Sequence, residues 1–186
     1  MMIFPAKGHL ARIVAACLII MAPALVLRPA PAHARSCPAG GIVLTAGKSF
    51  KAAARSGSPA AFQRVLRRHV AMRSLSLFAL GKYRRLLPRN AYGRFINAST
   101  QYISRKLARY ADSFGGADIK VSSCRGSMIE TRLIPGGQRI FWRLNGRRIR
   151  DVQFQGVWLS IALRNHYAKL MRKSGGDMKR FLARLK

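Results

Sequence analysis

Few side chains in this chain have the chemistry that catalysis needs. The 186 residues include 35 Lys and Arg but only 5 Asp and Glu, which gives a formal net charge of +30 at pH 7. Beyond residue 35 the histidines are His69 and His166, far apart in sequence and each in a helix-like context. No Gly-x-Ser-x-Gly segment, Cys–His pair or cluster with metal-ligand spacing occurs. We therefore expect neither an enzyme nor a bound metal or cofactor.

The binding of apolar groups is better supported. The segment from Val157 to Leu163 is predicted to begin a helix that is apolar on nearly every side, whereas a surface helix normally has one apolar stripe. We expect this segment to be deeply buried or to line an apolar cavity. Its Trp158, like Trp142 and Phe95 elsewhere, could equally belong to an ordinary core.

A predicted β-hairpin precedes this segment and must position it. Residues 139–145 alternate with period 2, which predicts a strand with one buried face. Asn145-Gly146 predicts a two-residue type I′ turn. Along the returning strand, 147–155, the apolar residues slip by one position, which predicts a β-bulge near Arg150-Asp151. Gly156 is expected to end that strand.

Helices are predicted before this hairpin. Ser58-Pro59 predicts the start of one helix, and a shorter basic helix is expected before it, from Thr45 to Arg55. The longest helix is expected to be capped by Asn90 and to end at Gly115-Gly116. Between them, one more helix is predicted from an apolar stripe that consists of Met72, Leu75, Phe78 and Ala79.

Beyond the paired glycines the apolar period changes to 2. This change predicts strands at 119–121 and 128–133, joined by a turn at 124–127. A last helix is expected to start near Asp177. The order of helices, four strands and two helices predicts an α+β fold, in which helices pack over one face of a four-stranded curved antiparallel sheet.

The first 34 residues have the pattern of a secretory signal peptide. Basic residues precede an apolar run from Ile13 to Leu27, and Ala32-His33-Ala34 fits a small-x-small cleavage site. The pattern predicts a signal peptide over 1–34, a single domain over 35–186 and a periplasmic location. A membrane anchor is the alternative, although the apolar run is short for a span of about 20 residues.

Two cysteines, Cys37 and Cys124, follow the predicted cleavage site. In an oxidising compartment a disulfide between them is the leading interpretation. Two buried free thiols are the alternative, since neither cysteine has the neighbours of a metal site.

Two segments of the chain resemble those of one protein family. One is Gly156–Ser160 (GVWLS), which follows an Asp-Val pair in the preceding strand and is followed by Arg164 and Tyr167. The other is Leu77–Arg84 (LFALGKYR), similar to the end of a helix in the same family. In this order and spacing the chain resembles the MlaC family, the toluene-tolerance type of auxiliary protein of ABC transporters, from about residue 50 to Leu185.

The resemblance implies a carrier that takes phospholipid through the periplasm without a covalent bond. It implies an apolar cavity enclosed between helices and sheet, and as partners an inner-membrane ABC transporter with an MCE component and an outer-membrane lipoprotein complex. A hopanoid in place of the phospholipid is a variant of this prediction. The candidates for the lining of the cavity are Met72, Leu75, Phe78, Tyr92, Phe95, Ile96, Ile103, Trp142, Val157, Trp158 and Ile161.

The high positive charge supports an alternative of a different class. A net charge of +30 favours anionic partners. A secreted cationic protein could bind anionic membranes or lipopolysaccharide at its surface, with no cavity at all. Export argues against nucleic acid as a partner.

Overall fold

Helices come first along the chain, and strands and two further helices follow. The structure is a computed structural model and describes residues 37–113 and 116–185, so the predicted signal peptide, 1–34, lies outside the described residues. The helices are α1 (Pro38–Ser56), α2 (Pro59–His69), α3 (Met72–Leu80), α4 (Tyr92–Arg109), α5 (Leu159–Lys173) and α6 (Met178–Arg184). The strands are β1 (Asp118–Arg125), β2 (Met128–Ile134), β3 (Arg139–Asn145), β4 (Arg148–Phe154) and β5 (Val157–Trp158). The predicted α+β class is confirmed.

The two longest helices differ from their predicted bounds. α1 begins at Pro38 rather than at Thr45, and its 19 residues make it longer than α4, which has 18. Asn90 does not cap α4, because it lies inside a separate 3₁₀ turn, Arg89–Ala91. α4 also ends at Arg109, before the predicted stop at Gly115-Gly116.

The sheet has one strand more than predicted. Its five strands are antiparallel neighbours in chain order. The extra strand, β5, forms because Gln155 (φ 49°) and Gly156 (φ 79°) reverse the chain, so that Val157 pairs with Phe154. Two left-handed residues in succession are the type I′ hairpin pattern. α5 consequently begins at Leu159 and not at Val157.

The hairpin of β3 and β4 turns one residue later than predicted. Asn145 still belongs to β3 and pairs with Arg148. The turn residues are therefore Gly146 and Arg147, and of these only Gly146 has a positive φ, 56°. The predicted type I′ turn at Asn145-Gly146 is wrong because the pairing extends through Asn145.

The predicted β-bulge is confirmed. Asp151 pairs with Arg143, but the next pair is Ile149 with Leu144, which leaves Arg150 as the extra residue of β4. By contrast, the predicted turn at 124–127 is too long, since β1 continues to Arg125.

The two faces of the sheet differ in what covers them. Residues directly opposite each other on neighbouring strands share a face, and the buried residues of β2 and β3 define the inner face. They are Ile129, Thr131, Leu133, Ile140, Trp142 and Leu144. One hydrophobic core joins the apolar residues among them to residues of all six described helices, so the helices lie over the inner face.

The close packing of α1 on the inner face depends on a glycine. A Cβ at Gly47 would overlap the side chain of Ile119 in β1. Among the described helices, none is long and apolar enough to cross a membrane.

Candidate functional site

The residues predicted to line a cavity fall into three groups. The group buried in the core consists of Met72, Leu75, Phe95, Ile103 and Trp142, and Tyr92 and Ile96 lie half-buried against it. A second group, Phe78, Val157 and Ile161, is exposed. The third is Trp158 alone, half-buried and opposite Gln153, which places it on the outer face of the sheet.

The expected deep burial of the segment that begins at Val157 is wrong. Val157 is 54% exposed and Ile161 is 40% exposed. Val157 belongs to β5, the edge strand of the sheet, and Ile161 lies in the first turn of α5, so both lie where the sheet ends. Phe78 is 48% exposed as well, because α3 buries Ser76 and Leu77 and turns Phe78 outward. We call Phe78, Val157 and Ile161 the open edge.

The buried group is organised around aromatic rings. Phe95 of α4 lies 5.6 Å from the ring of Tyr167 and 6.2 Å from that of Phe181. Trp142 donates a hydrogen bond from Nε1 to the Thr131 hydroxyl at 2.8 Å. The sequence did not single out Phe181, although its place in a short terminal helix with few other large apolar residues was a signal.

Hydroxyl groups are buried inside this apolar layer. Burial raises the pKa of Tyr167 to about 12, and the nearby Ser99 and Ser76 hydroxyls oppose that rise only in part. Ser99 donates to the carbonyl oxygen of Phe95. The hydroxyls of Tyr167 and Ser76 have no partner at hydrogen-bond geometry. The core between α3, α4 and α5 therefore contains buried polar groups, Ser76, Ser99 and Tyr167, among its apolar side chains.

An arginine joins the helices beside the open edge. The Arg164 guanidinium of α5 lies 4.7 Å from the ring centroid of Phe78 and donates a hydrogen bond to the Phe78 carbonyl oxygen at 3.1 Å. Gly81, with φ 59°, lies against the same arginine, since a Cβ there would be 3.5 Å from Arg164 Nε. Arg164 therefore holds the end of α3 against α5.

Two depressions adjoin α3 at this edge. The larger has a volume of about 390 Å³, is open to solvent, and is lined by Ala71, Met72, Arg73, Ser74, Leu77, Phe78, Arg84 and Arg148. The smaller, of about 20 Å³, is lined by Ser74, Leu75, Phe78, Arg143, Arg150, Asp151 and Ser160. Both combine apolar walls with arginines, which suits an amphipathic anion. The enclosed cavity stays a prediction.

A disulfide joins Cys37 to Cys124, with their Cα atoms 6.1 Å apart. Cys124 pairs with Ile129 across the hairpin, so its side chain lies on the inner face of the sheet. The bond therefore fastens the start of α1 to β1, on the side that the helices cover.

Comparison with known proteins identifies the family. The profile of the family described as MlaC protein matches residues 43–186. The chain belongs to the MlaC family. No curated protein matches the chain.

Solved structures share the fold of this MlaC-family chain. A phospholipid-binding protein from Ralstonia solanacearum, solved in complex with a phospholipid, aligns with a TM-score of 0.66. The alignment covers 80% of this chain and 95% of that one at 13% sequence identity. At this identity the likeness establishes the fold.

The two segments that resemble the MlaC family meet in the structure. Phe78 and Gly81, both in the segment Leu77–Arg84, contact Arg164, which follows the segment Gly156–Ser160. Through these contacts the two segments hold α3 against α5 beside the open edge.

The aspartate of the Asp-Val pair that precedes the segment Gly156–Ser160 is a buried carboxylate. Asp151 is only 4% exposed and accepts hydrogen bonds from the backbone N–H groups of Val152 and Ser160 and from the Ser160 hydroxyl. The carboxylate thus lies at the N-terminus of α5, where negative charge is favourable, and joins β4 to that helix. The sequence patterns identify Asp151 only as part of the predicted bulge and of the Asp-Val pair, and they do not predict its burial.

Proposed function

We propose that this MlaC-family chain is a periplasmic carrier that holds the acyl chains of a phospholipid in an apolar pocket without a covalent bond. The family match supports the proposal, and so does the Ralstonia solanacearum protein of the same fold, which was solved with a phospholipid. Neither finding involves a catalytic group, and we propose no enzymatic activity. The predicted export signal over 1–34 supports the periplasmic location.

The open edge is the observation on this chain that carries the proposal. Phe78, Val157 and Ile161 present large apolar side chains to solvent, and Phe78 lines a depression whose wall includes the core residue Met72. Exposed apolar patches mark sites of interaction more often than scattered single residues do. We propose that acyl chains enter here.

From the open edge the chains would extend over the inner face of the sheet. The remaining predicted residues on this path are Leu75, Tyr92, Phe95, Ile96, Ile103 and Trp142. Because protein interiors are close-packed and Phe95 is fully buried, the chains reach this depth only if α3 and α5 move away from the sheet. The buried hydroxyls of Tyr167 and Ser76 could then donate hydrogen bonds to the ester groups of the lipid.

The energetics of lipid transfer explain why a carrier must cover the chains. At about 0.8 kcal/mol for each methylene, exposure of about 30 methylenes to water costs on the order of 25 kcal/mol. Release must therefore be driven by a partner that opens the pocket or competes for the lipid. We propose the partners that the family resemblance implies: an inner-membrane ABC transporter with an MCE component, and an outer-membrane lipoprotein complex. A hopanoid in place of the phospholipid remains part of the proposal.

The second candidate function is surface binding of anionic lipid or lipopolysaccharide without a pocket. The charge of +30 favours it, as does the small number of ion pairs, two within the described residues. In this case lipid would be held by charge and released by salt, which screens exposed charges.

Native mass spectrometry of the protein purified from the periplasm of its host separates the two functions. The sample is washed at high ionic strength, about 1 M salt, where the Debye length is about 3 Å, and is then transferred to volatile buffer. A phospholipid that stays bound after the wash is the expected result. A protein that is free of lipid after the wash, but carries lipid before it, would establish the surface binder instead.

A further inference from the structure

A row of three cations crosses the outer face of the sheet. Lys120 of β1 lies directly opposite Arg132 of β2, and Arg132 lies directly opposite Arg139 of β3. All three side chains are exposed, and opposite residues share a face of the sheet. Like charges in such positions destabilise a sheet, so the stability of the fold does not explain this row.

Two of the three carboxylates on the strands are engaged elsewhere. Asp118 forms an ion pair at 2.7 Å with a lysine of α1. Asp151 is buried and bonded to Ser160 at the start of α5. Neither carboxylate is available to neutralise the row.

Glu130 is the third carboxylate, and it approaches one end of the row only. One of its oxygens lies 4.0 Å from Arg139, and the other accepts a hydrogen bond from Ser123 at 3.2 Å. Within the described part of the chain, Lys120 and Arg132 have no carboxylate within 4.0 Å. The row therefore carries a net positive charge that a partner would have to neutralise.

Aromatic rings lie beside the cations on this face. The guanidinium of Arg139 lies 5.6 Å from the ring centroid of Phe141, and that of Arg143 lies 4.3 Å from the ring of Trp158. Cations stacked on rings keep their charge at the surface while the ring supplies apolar area. At the Arg143 end of this face α3 and α5 come close, since Ser74, Phe78 and Ser160 line a depression together with Arg143.

An exposed apolar residue and a depression adjoin the other end of the row. Ile134 is 49% exposed and lines an open depression of about 590 Å³ together with Lys120 and Arg132. The outer face thus alternates cations with apolar groups over three neighbouring strands.

We propose that this basic sheet face docks on the surface of an anionic lipid bilayer. The face is defined by Lys120, Arg132, Arg139, Phe141 and Ile134. Its cations complement the phosphates of anionic headgroups, and the aromatic and apolar groups between them suit the boundary of headgroups and acyl chains. The proposed pocket extends over the inner face, and its entrance borders the basic sheet face at Arg143.

Vesicle flotation tests the docking face with matched variants. The vesicles contain either phosphatidylcholine alone or equal parts of phosphatidylcholine and phosphatidylglycerol. The sheet-face variant carries Lys120→Gln, Arg132→Gln and Arg139→Gln. The control variant removes the same number of charges from α2, through Arg64→Gln, Arg67→Gln and Arg68→Gln, which are also exposed.

The parent protein is expected to float with the anionic vesicles and not with the neutral ones. The sheet-face variant should bind the anionic vesicles roughly 100-fold more weakly, since each cation near an anionic surface is worth about 1 kcal/mol. The α2 variant should bind nearly as well as the parent. An equal loss in both variants, or a parent that binds no anionic vesicles, would overturn the proposal. Equal binding of the parent to neutral vesicles would overturn it too.

Two further measurements keep the test independent of folding and of the carrier function. The thermal unfolding temperature of the sheet-face variant should equal or exceed that of the parent, because repulsion is removed. Should the triple variant fail to fold, Arg132→Gln alone is expected to weaken binding about fivefold. Lipid that co-purifies with the sheet-face variant should match the parent. Loss of vesicle binding in a variant that still carries lipid would support the docking face. A parent protein that carries no lipid would count against the carrier function and not against the docking face.

Discussion

The two faces of the sheet are made from alternate residues of the same strands, yet their chemistry is opposite. In β3, Trp142 is 6% exposed on the inner face and bonded to Thr131. Its neighbour Phe141 lies half-buried on the outer face beneath Arg139. The inner face is apolar and covered by helices, whereas on the outer face three cations lie side by side.

This contrast separates two tasks that a lipid carrier has to perform. Apolar burial on the inner face can hold acyl chains, because it removes them from water. Charge on the outer face can guide the protein to an anionic surface without contributing to the free energy of acyl-chain burial in the interior. Changes on the inner face should therefore affect stability and lipid retention, and removal of the cations on the outer face should affect encounter with membranes.

The disulfide should have the largest effect, because it fastens α1 over the inner face. Cys37 and Cys124 are separated by 87 positions, and a loop of that size corresponds to roughly 4–5 kcal/mol of stability in the chain-entropy model. We expect the free energy of unfolding in urea to fall by up to about this amount on reduction. The double variant Cys37→Ala, Cys124→Ala should match the reduced parent. Labelling of both thiols in the unfolded, unreduced protein would show that no bond exists.

The next test compares neighbours on one strand. Trp142→Ala should lower the free energy of unfolding by about 3–5 kcal/mol, because it empties a large site in the core. Phe141→Ala should cost about 1 kcal/mol, the scale of a cross-strand contact on an open face. Urea unfolding of both variants measures the difference. Equal losses would mean that the outer face is covered as well as the inner one.

A smaller effect is expected where β4 meets the start of α5. Asp151→Ala removes the acceptor for the N–H groups of Val152 and Ser160, and should cost about 2 kcal/mol in urea unfolding. The exposed Asp112→Ala is the matched control and should change stability by less than about 0.5 kcal/mol. If the two variants lost equal stability, Asp151 would not hold β4 to α5.

The helical layer should also be sensitive to mild acid. Burial, and secondarily Arg68, lowers the pKa of His69, while burial and Lys106 lower that of His166. The folded state therefore favours neutral histidines, so their contribution to stability is complete above the unfolded pKa of about 6.5 and is lost as pH falls below it. Urea unfolding at about pH 7.5 and about pH 5.5 should show the decline. The double variant His69→Gln, His166→Gln should lose less stability than the parent between these two pH values. An equal loss in the variant and the parent would exclude the histidines as the cause.

Local patterns predicted much of this fold. The period-2 alternation of β3 and the Ser58-Pro59 start of α2 depend on neighbouring residues only, and the structure contains both elements. β5 was missed because two residues are too few to show a period, and the helix pattern after Gly156 masked it. Asn90 was misplaced as a cap because a 3₁₀ turn has the same local signals as the first turn of a helix.

The candidate site was harder to predict because burial depends on distant contacts. The sequence placed Phe78 on a buried stripe, but the packing of α3 against α5 turns it to the open edge. The row of Lys120, Arg132 and Arg139 has no signature in the sequence at all. It arises from the register of two hairpins.

The most direct test of the carrier function uses the two tryptophans, one on each face. The chain contains only Trp142 and Trp158, so Trp158→Phe leaves a reporter on the inner face and Trp142→Phe leaves one on the outer face. Each delipidated variant is loaded with a phosphatidylcholine brominated in its acyl chains, whose neutral headgroup gives the cations little attraction. Quenching of Trp142 fluorescence, well beyond that of Trp158, is the expected result. Quenching of Trp158 with none at Trp142 would place the lipid on the outer surface and contradict an acyl-chain pocket.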